Sequence, residues 1–199
     1  VVSQKLQFKS MINKEQRVGI FIDVQNLYHS AKNLYKSRVN YKELVKHLVA
    51  GRKLIRAIAY VVKTEALEGE AVGHGQPTGE ALGRSHQNQP MGEAAFFDAL
   101  KQAGIELRVK DIQVYPGGMK KADWDVGMAV DAIRMSGFLD AVVLVTGDGD
   151  FLPLVDYLKW GQGRVVEVSA FSRTTKTEMK ENADRFIAVE DIPRALIRK

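Results

Sequence analysis

The sequence predicts a doubly wound α/β fold, in which a parallel sheet is covered by helices on both faces. Two observations lead there. Apolar runs, several of them rich in β-branched residues, alternate along the chain with segments of helical period. Several of the helical segments also stop at a glycine, which suits the left-handed position that ends a helix.

Taken in order, RVGIFI (17–22) reads as a buried strand closed by Asp23. LYHSAKNLYK follows as a helix whose inward stripe is Leu27, Ala31 and Leu34. YKELVKHLVAG gathers Leu44, Val45 and Leu48 on one face and stops at Gly51. KLIRAIAYVV (53–62) is the second strand. MGEAAFFDALKQAG groups Phe96, Ala99, Leu100 and Ala103, and ends on glycine before the strand IELRVK. Residues 124–136 make a helix expected to turn Val126, Val130 and Ile133 inward. AVVLVT (141–146) is the most apolar strand. The helix after it stripes Phe151, Leu154, Val155 and Leu158, with Pro153 in the first turn, where a missing N–H costs little. VVEVSA and RFIAVE complete the alternation.

A chain of 199 residues with 45% hydrophobic content is expected to form one domain with a substantial core. The absence of cysteine excludes disulfides, thiolate metal sites and thiol nucleophiles, leaving carboxylates and histidines as metal ligands. No apolar run has the length of a signal peptide or membrane span, so the expected setting is cytoplasmic, with no membrane partner. The net charge of +5 leans towards an anionic partner without identifying one.

VTGDGDF (145–151) raises the functional question, because two aspartates separated by one glycine follow the most apolar strand. In doubly wound sheets, ligands collect at the carboxyl ends of the strands. Asp23, Asp148 and Asp150 fall at such ends, and Asp125 opens a helix that can reach the same edge. Taken singly, each acid has a plainer role. Asp150 can cap the helix at Phe151, Asp123 or Asp125 the helix at 124, and Asp148 can shape a Gly-rich turn. Together they would repel one another and raise each other's pKa unless a cation neutralised them. Oxygen-only ligation suits Mg²⁺ or Mn²⁺, and two such ions can drive phosphodiester hydrolysis.

FIDVQNL (21–27), KADWDVGMAVDAI (121–133), VVLVTGDGDFLPLVDYLKWGQGRVVEV (142–168) and NADRFIAVED (182–191) together resemble the NYN domain, the PIN-like branch that includes LabA-like proteins. The resemblance implies a Rossmann-like (PIN-like) fold over 17–191, with an N-terminal extension at 1–16 and a C-terminal tail at 192–199. It further implies metal-dependent ribonuclease chemistry with Mg²⁺ or Mn²⁺ on Asp23, Asp125, Asp148 and Asp150. Asn26 and Thr146 match the family's polar positions beside those acids. The implied partner is RNA, single-stranded by expectation, and pairing as a homodimer is a further expectation. The polarity of cleavage, endo or exo, is left open. The rival reading within the fold is a module that binds RNA or a nucleotide without cutting it. A haloacid-dehalogenase-like phosphatase would need a DxD pair after the first strand, and a dinucleotide-binding oxidoreductase a Gly-rich turn; DVQNLY offers neither.

Other residues keep two readings each. Asn26 serves the site or caps its own helix. Lys120 and Lys121, close in sequence to Asp125, grip a phosphate or form a solvated pair. Asp131, roughly 120° around the helix from Asp125, is read as pairing with Arg134 or bracing the fold. Tyr28, Lys32 and Tyr35 make an RNA-stacking face or an ordinary rim. Arg173, Lys176 and Lys180 are a solvated helix face or a path for an RNA backbone. Residues 63–90, with five glycines and two prolines between Thr64 and Pro90, form a long loop, either a lid or an insertion. His74 and His86 lack a metal-ligand spacing, and no histidine base is required.

Overall fold

Strands that are apolar at every position bury both faces and belong inside a sheet covered on two sides. The computed structural model of the chain describes residues 13–63, 91–111, 113–114, 120–121 and 123–198. In it β1 (Arg17–Asp23), β3 (Lys53–Lys63), β4 (Glu106–Asp111), β7 (Ala141–Val145), β8 (Val165–Ala170) and β9 (Arg185–Ala188) form one sheet, ordered β4-β3-β1-β7-β8-β9. Every neighbouring pair is parallel. The chain starts at the centre, winds outward through β3 and β4, then returns to the other side of β1. The strand order therefore reverses between β1 and β7, and the crevice for a ligand opens there.

Two smaller ribbons flank the sheet. β2 (Ser37–Val39) pairs antiparallel with β10 (Leu196–Arg198), so the expected C-terminal tail carries a paired strand. β5 (Gln113–Val114) pairs antiparallel with β6 (Lys120–Lys121). Of the segment 63–90 expected as a loop, Lys63 ends β3 and residues 64–90, with His74 and His86, lie outside the described residues, as do the first twelve residues of the expected N-terminal extension. No helix among the described residues is long and apolar enough to cross a membrane.

Successive strand residues feed opposite cores. Val18, Ile20, Ile22, Val143 and Val145 face α1 (Val24–Tyr35), α2 (Tyr41–Val49) and α3 (Met91–Gln102). Phe21, Ile58, Val142, Leu144 and Val168 face α4 (Asp125–Ser136), α5 (Leu152–Asp156) and α6 (Thr177–Asn182). The stripes expected on α1, α2 and the segment from Phe151 to Leu158 are the buried ones, Leu34 being partly covered.

Three expected faces differ. On α4 the inward residues are Met128, Ala132 and Met135, whereas Val126, Val130 and Ile133 point outward, Val126 being 74% exposed. The helix carries apolar residues on two roughly opposite faces, so periodicity does not choose between them. The small side chain of Ala132 permits close approach to the sheet. On α3, Ala99 is exposed while Leu100 is buried. Only Lys180 of the basic trio lies on α6; Arg173 and Lys176 precede it.

One close contact near the start of β1 yields a prediction. A Cβ on Gly19 would fall 2.5 Å from Leu139 Cδ1, in a core with no room to move apart. Gly19→Ala is expected to cost about 1–3 kcal/mol through overpacking, measured by urea unfolding.

Candidate active site

The β1–β7 register sets the site. Ile22 pairs with Val145 and Asp23 with Tyr60, so Asp23 and the loop after Val145 leave the sheet side by side. Asp23 Oδ1 accepts the N–H of Asn26 at 3.0 Å and so caps α1. Its other oxygen, Oδ2, accepts the Thr146 hydroxyl at 3.1 Å. That hydroxyl in turn accepts the Asp148 N–H at 3.2 Å. Thr146 thus ties the end of β1 to the acidic loop, and it is fully buried while doing so.

Asn26 is not the cap of its own helix. Its side-chain oxygen accepts the Gly147 N–H at 3.0 Å, clamping the loop from the other side. This approach needs glycine: a Cβ at Gly147 would sit 2.9 Å from Thr175 Oγ1 and 3.4 Å from Asn26 Oδ1. Asp148 caps the single turn Gly149–Phe151 by accepting the Asp150 N–H at 3.0 Å, so the capping role expected of Asp150 belongs to Asp148. Asp150 itself is exposed beside the cleft. Lys176 lies over Gly149, where a Cβ would meet its Cδ at 2.4 Å and its Nζ at 2.9 Å, which brings an ammonium to the acidic turn.

Asp23, Gln25, Asn26, His29, Tyr60, Asp123, Trp124, Asp125 and Asp148 line a cleft of about 200 Å³. Of the expected residues, Asp23, Asn26, Asp125 and Asp148 are therefore brought together. Thr146 supports them from beneath, and Asp150 stands at the rim. Lys120 and Lys121 are placed in β6, but their side chains lie outside the described residues.

Five lining residues escaped the sequence reading. Gln25 and His29 share a face of α1 at i, i+4, a signal available in the sequence. Asp123 and Trp124 sit inside the quoted motif beside Asp125. Tyr60 is brought in only by its register with Asp23. His29, two residues beyond the FIDVQNL block, lines the cleft with the acids. Asp131 braces the fold, but through Tyr60 and Arg108, not Arg134: it accepts the Tyr60 hydroxyl at 3.0 Å and lies 3.4 Å from Arg108 Nε. Tyr35 leaves the expected stripe to stack on Phe171, with ring centroids 5.2 Å apart, while Lys32 bonds Tyr28 at 3.4 Å.

The electrostatics follow from this crowding. Burial, opposed by the bonds from Asn26 and Thr146 and aided by Asp148, raises the Asp23 pKa. Burial first, then Asp23, Asp123, Asp148 and Asp150, push Asp125 up to about 6. The folded chain therefore keeps a proton on Asp125 up to about pH 6, whereas the unfolded chain releases it near pH 4. Ionising Asp125 above pH 6 opposes folding. Asp125→Asn is expected to raise the melting temperature of the metal-free protein by a few degrees at pH 7–8, the gain shrinking as pH falls through 6 and vanishing below about 4. Calorimetry across that range checks it.

The donor set is carboxylate oxygen, suited to a hard divalent cation. Among the described residues no three Asp, Glu or His side chains already converge on one metal position.

A family profile described as the NYN domain matches residues 17–190. The chain is 28% identical over 116 residues to the Low amplitude and bright protein LabA of Synechococcus elongatus, a match covering 55% of this chain and 61% of that protein. It therefore spans less than two thirds of that relative. The crystal structure of a protein of unknown function from Vibrio parahaemolyticus is similar, with a TM-score of 0.75, 27% identity, and coverage of 94% of this chain and 99% of that one.

Proposed function

The chain belongs to the NYN domain family, and from that premise we propose that it is a metal-dependent ribonuclease, hydrolysing phosphodiester bonds of single-stranded RNA at the acidic cleft. The observation that carries the reading is the gathering of Asp23, Asp125 and Asp148 at the reversal of strand order, tight enough that neighbouring acids help raise Asp125 to about 6. A site that destabilises its own carboxylates is suited to binding cations.

In this reading Asp23, Asp125 and Asp148 hold Mg²⁺ or Mn²⁺ directly or through water, with Asp150 adding charge at the rim. When bound, the ion supplies the Lewis acidity that makes water nucleophilic at neutral pH and screens charge developing on the phosphate. The chain's own part is positional. Thr146 and Asn26 fix Asp23 against the acidic loop, so the carboxylates need little rearrangement when the phosphate arrives. Lys176 by Gly149, and Lys120 and Lys121 on β6, are proposed contacts to the RNA backbone. A homodimer would lengthen that basic path.

A second reading of the same cleft is a module that holds RNA or a nucleotide without cutting it. One assay separates the two: end-labelled single-stranded RNA incubated with the protein in Mn²⁺, Mg²⁺ or EDTA, beside a folded Asp148→Asn variant. The ribonuclease reading expects cutting that needs metal and is lost in the variant. Binding of intact RNA under all conditions gives the second reading.

A further inference from the structure

Trp124 holds the N-cap position of α4, yet makes no side-chain capping bond there. Ser, Thr, Asp or Asn is preferred at such positions because its oxygen satisfies a free N–H. The chain forgoes that bond and places an indole between Asp123 and Asp125. The indole is held on several sides. Its Nε1–H donates to the Val61 carbonyl at 2.9 Å. Its ring meets the buried Tyr60 ring edge to face, with centroids 5.6 Å apart at 60°. It also lies against Gly127, where a Cβ would come within 2.6 Å of Cε3 and 2.9 Å of Cζ3. A glycine in the first turn of α4 is unfavourable for the helix and is explained by the ring it admits. The Lys110 ammonium stands 5.9 Å from the ring centroid and donates to the Asp123 carbonyl at 3.2 Å.

The ring is nonetheless only partly buried, and it lines the cleft. A fixed aromatic surface beside the acids, with a cation at hand, has the form of a stacking platform: it loses little rotamer freedom on binding, and every base has a π-face. We propose that Trp124 stacks a nucleobase of the bound strand next to the phosphate that a cation on Asp23, Asp125 and Asp148 would hold. The inference rests on the reading of the cleft as an RNA site. It makes Trp124 a positioning residue that selects unpaired strands, because a base within a duplex is already stacked on its neighbours.

Tryptophan fluorescence tests it. The chain has two tryptophans, and Trp160, 82% exposed, is removed as Trp160→Phe, leaving Trp124 as the reporter. This protein is titrated in EDTA with a single-stranded oligoribonucleotide, an abasic strand of equal length and charge, and an RNA duplex. The base-bearing single strand is expected to quench Trp124, and the other two are not. Filter binding with the Trp160 background should show Trp124→Leu weakened about tenfold, with Trp124→Phe recovering most of the loss. Equal quenching by the abasic strand, or a Leu variant that binds as tightly as its parent, overturns the proposal. Quenching by single strands without metal-dependent cutting in the parallel assay overturns the ribonuclease reading and leaves the platform standing; cutting without quenching does the reverse. Absence of binding by every strand overturns the platform, and the ribonuclease reading is decided by the cutting assay.

Discussion

Asp23→Asn is expected to lower metal-dependent RNA cleavage by at least about a hundredfold while melting no lower than the parent chain. The two halves have one origin. The carboxylate ends the central strand, is shared by the Asn26 N–H and the Thr146 hydroxyl, and has a raised pKa because burial and Asp148 disfavour its charge. The amide has nearly the same shape. Its oxygen can still cap α1, and the Thr146 hydroxyl can turn to accept from its NH₂. What is lost is the negative charge that attracts a cation. Removing a charge the fold already disfavours relieves the metal-free protein, so activity and stability should move apart. Cleavage rates in saturating Mn²⁺, set beside calorimetric melting in EDTA, measure both. A variant that cleaves at the parental rate would remove Asp23 from the proposed mechanism, and one that melts lower would show that its charge supports the fold.

Glu167→Gln should be the most destabilising single change away from the cleft, at about 3–5 kcal/mol, or roughly 6–20 °C in melting temperature. Glu167 on β8 is 1% exposed and Arg52, just after α2, is 5% exposed. The Arg52 guanidinium makes two bonds of 2.9 Å to the carboxylate. It also donates to the carbonyls of Leu48 at 2.7 Å and Val49 at 3.1 Å, closing the end of α2. Arg185 is close enough that Glu167 supports its charge while Arg52 opposes it. Without the carboxylate, the buried Arg52 guanidinium loses its counter-charge and Arg185 a supporting one. The paired variant Arg52→Met with Glu167→Met removes both charges and should recover most of the stability, because a buried ion pair often adds little over apolar packing. Urea unfolding of the single and double variants decides the matter. A single variant within about 1 kcal/mol of the parent would mean that water reaches the pair.

The strands were legible because a run such as AVVLVT tolerates only a buried setting, and the reversal of strand order turned Asp23 and Asp148 from isolated residues into neighbours. Other features depended on tertiary packing. The choice between the valine and methionine faces of α4 rests on which side chains let the helix approach the sheet. Tyr60 enters the cleft through strand register, and His29 through the orientation of α1. Glu167 was the clearest signal passed over: one charge inside VVEVSA demands a buried partner, but nothing local points to Arg52 at the end of α2.

The placement of β1 also bears on when the cleft comes into being. β1 is made first, yet its neighbours β3 and β7 come from the second quarter and the last third of the chain. Such long-range parallel pairing has to close large loops before any contact rewards it, which makes it slow. Asp23 is synthesised before Thr146 and Asp148, and so emerges with neither beside it. An unfinished polypeptide therefore has no assembled acidic cleft, and the proposed cation binding should return during refolding with β7 docking instead of early helix formation.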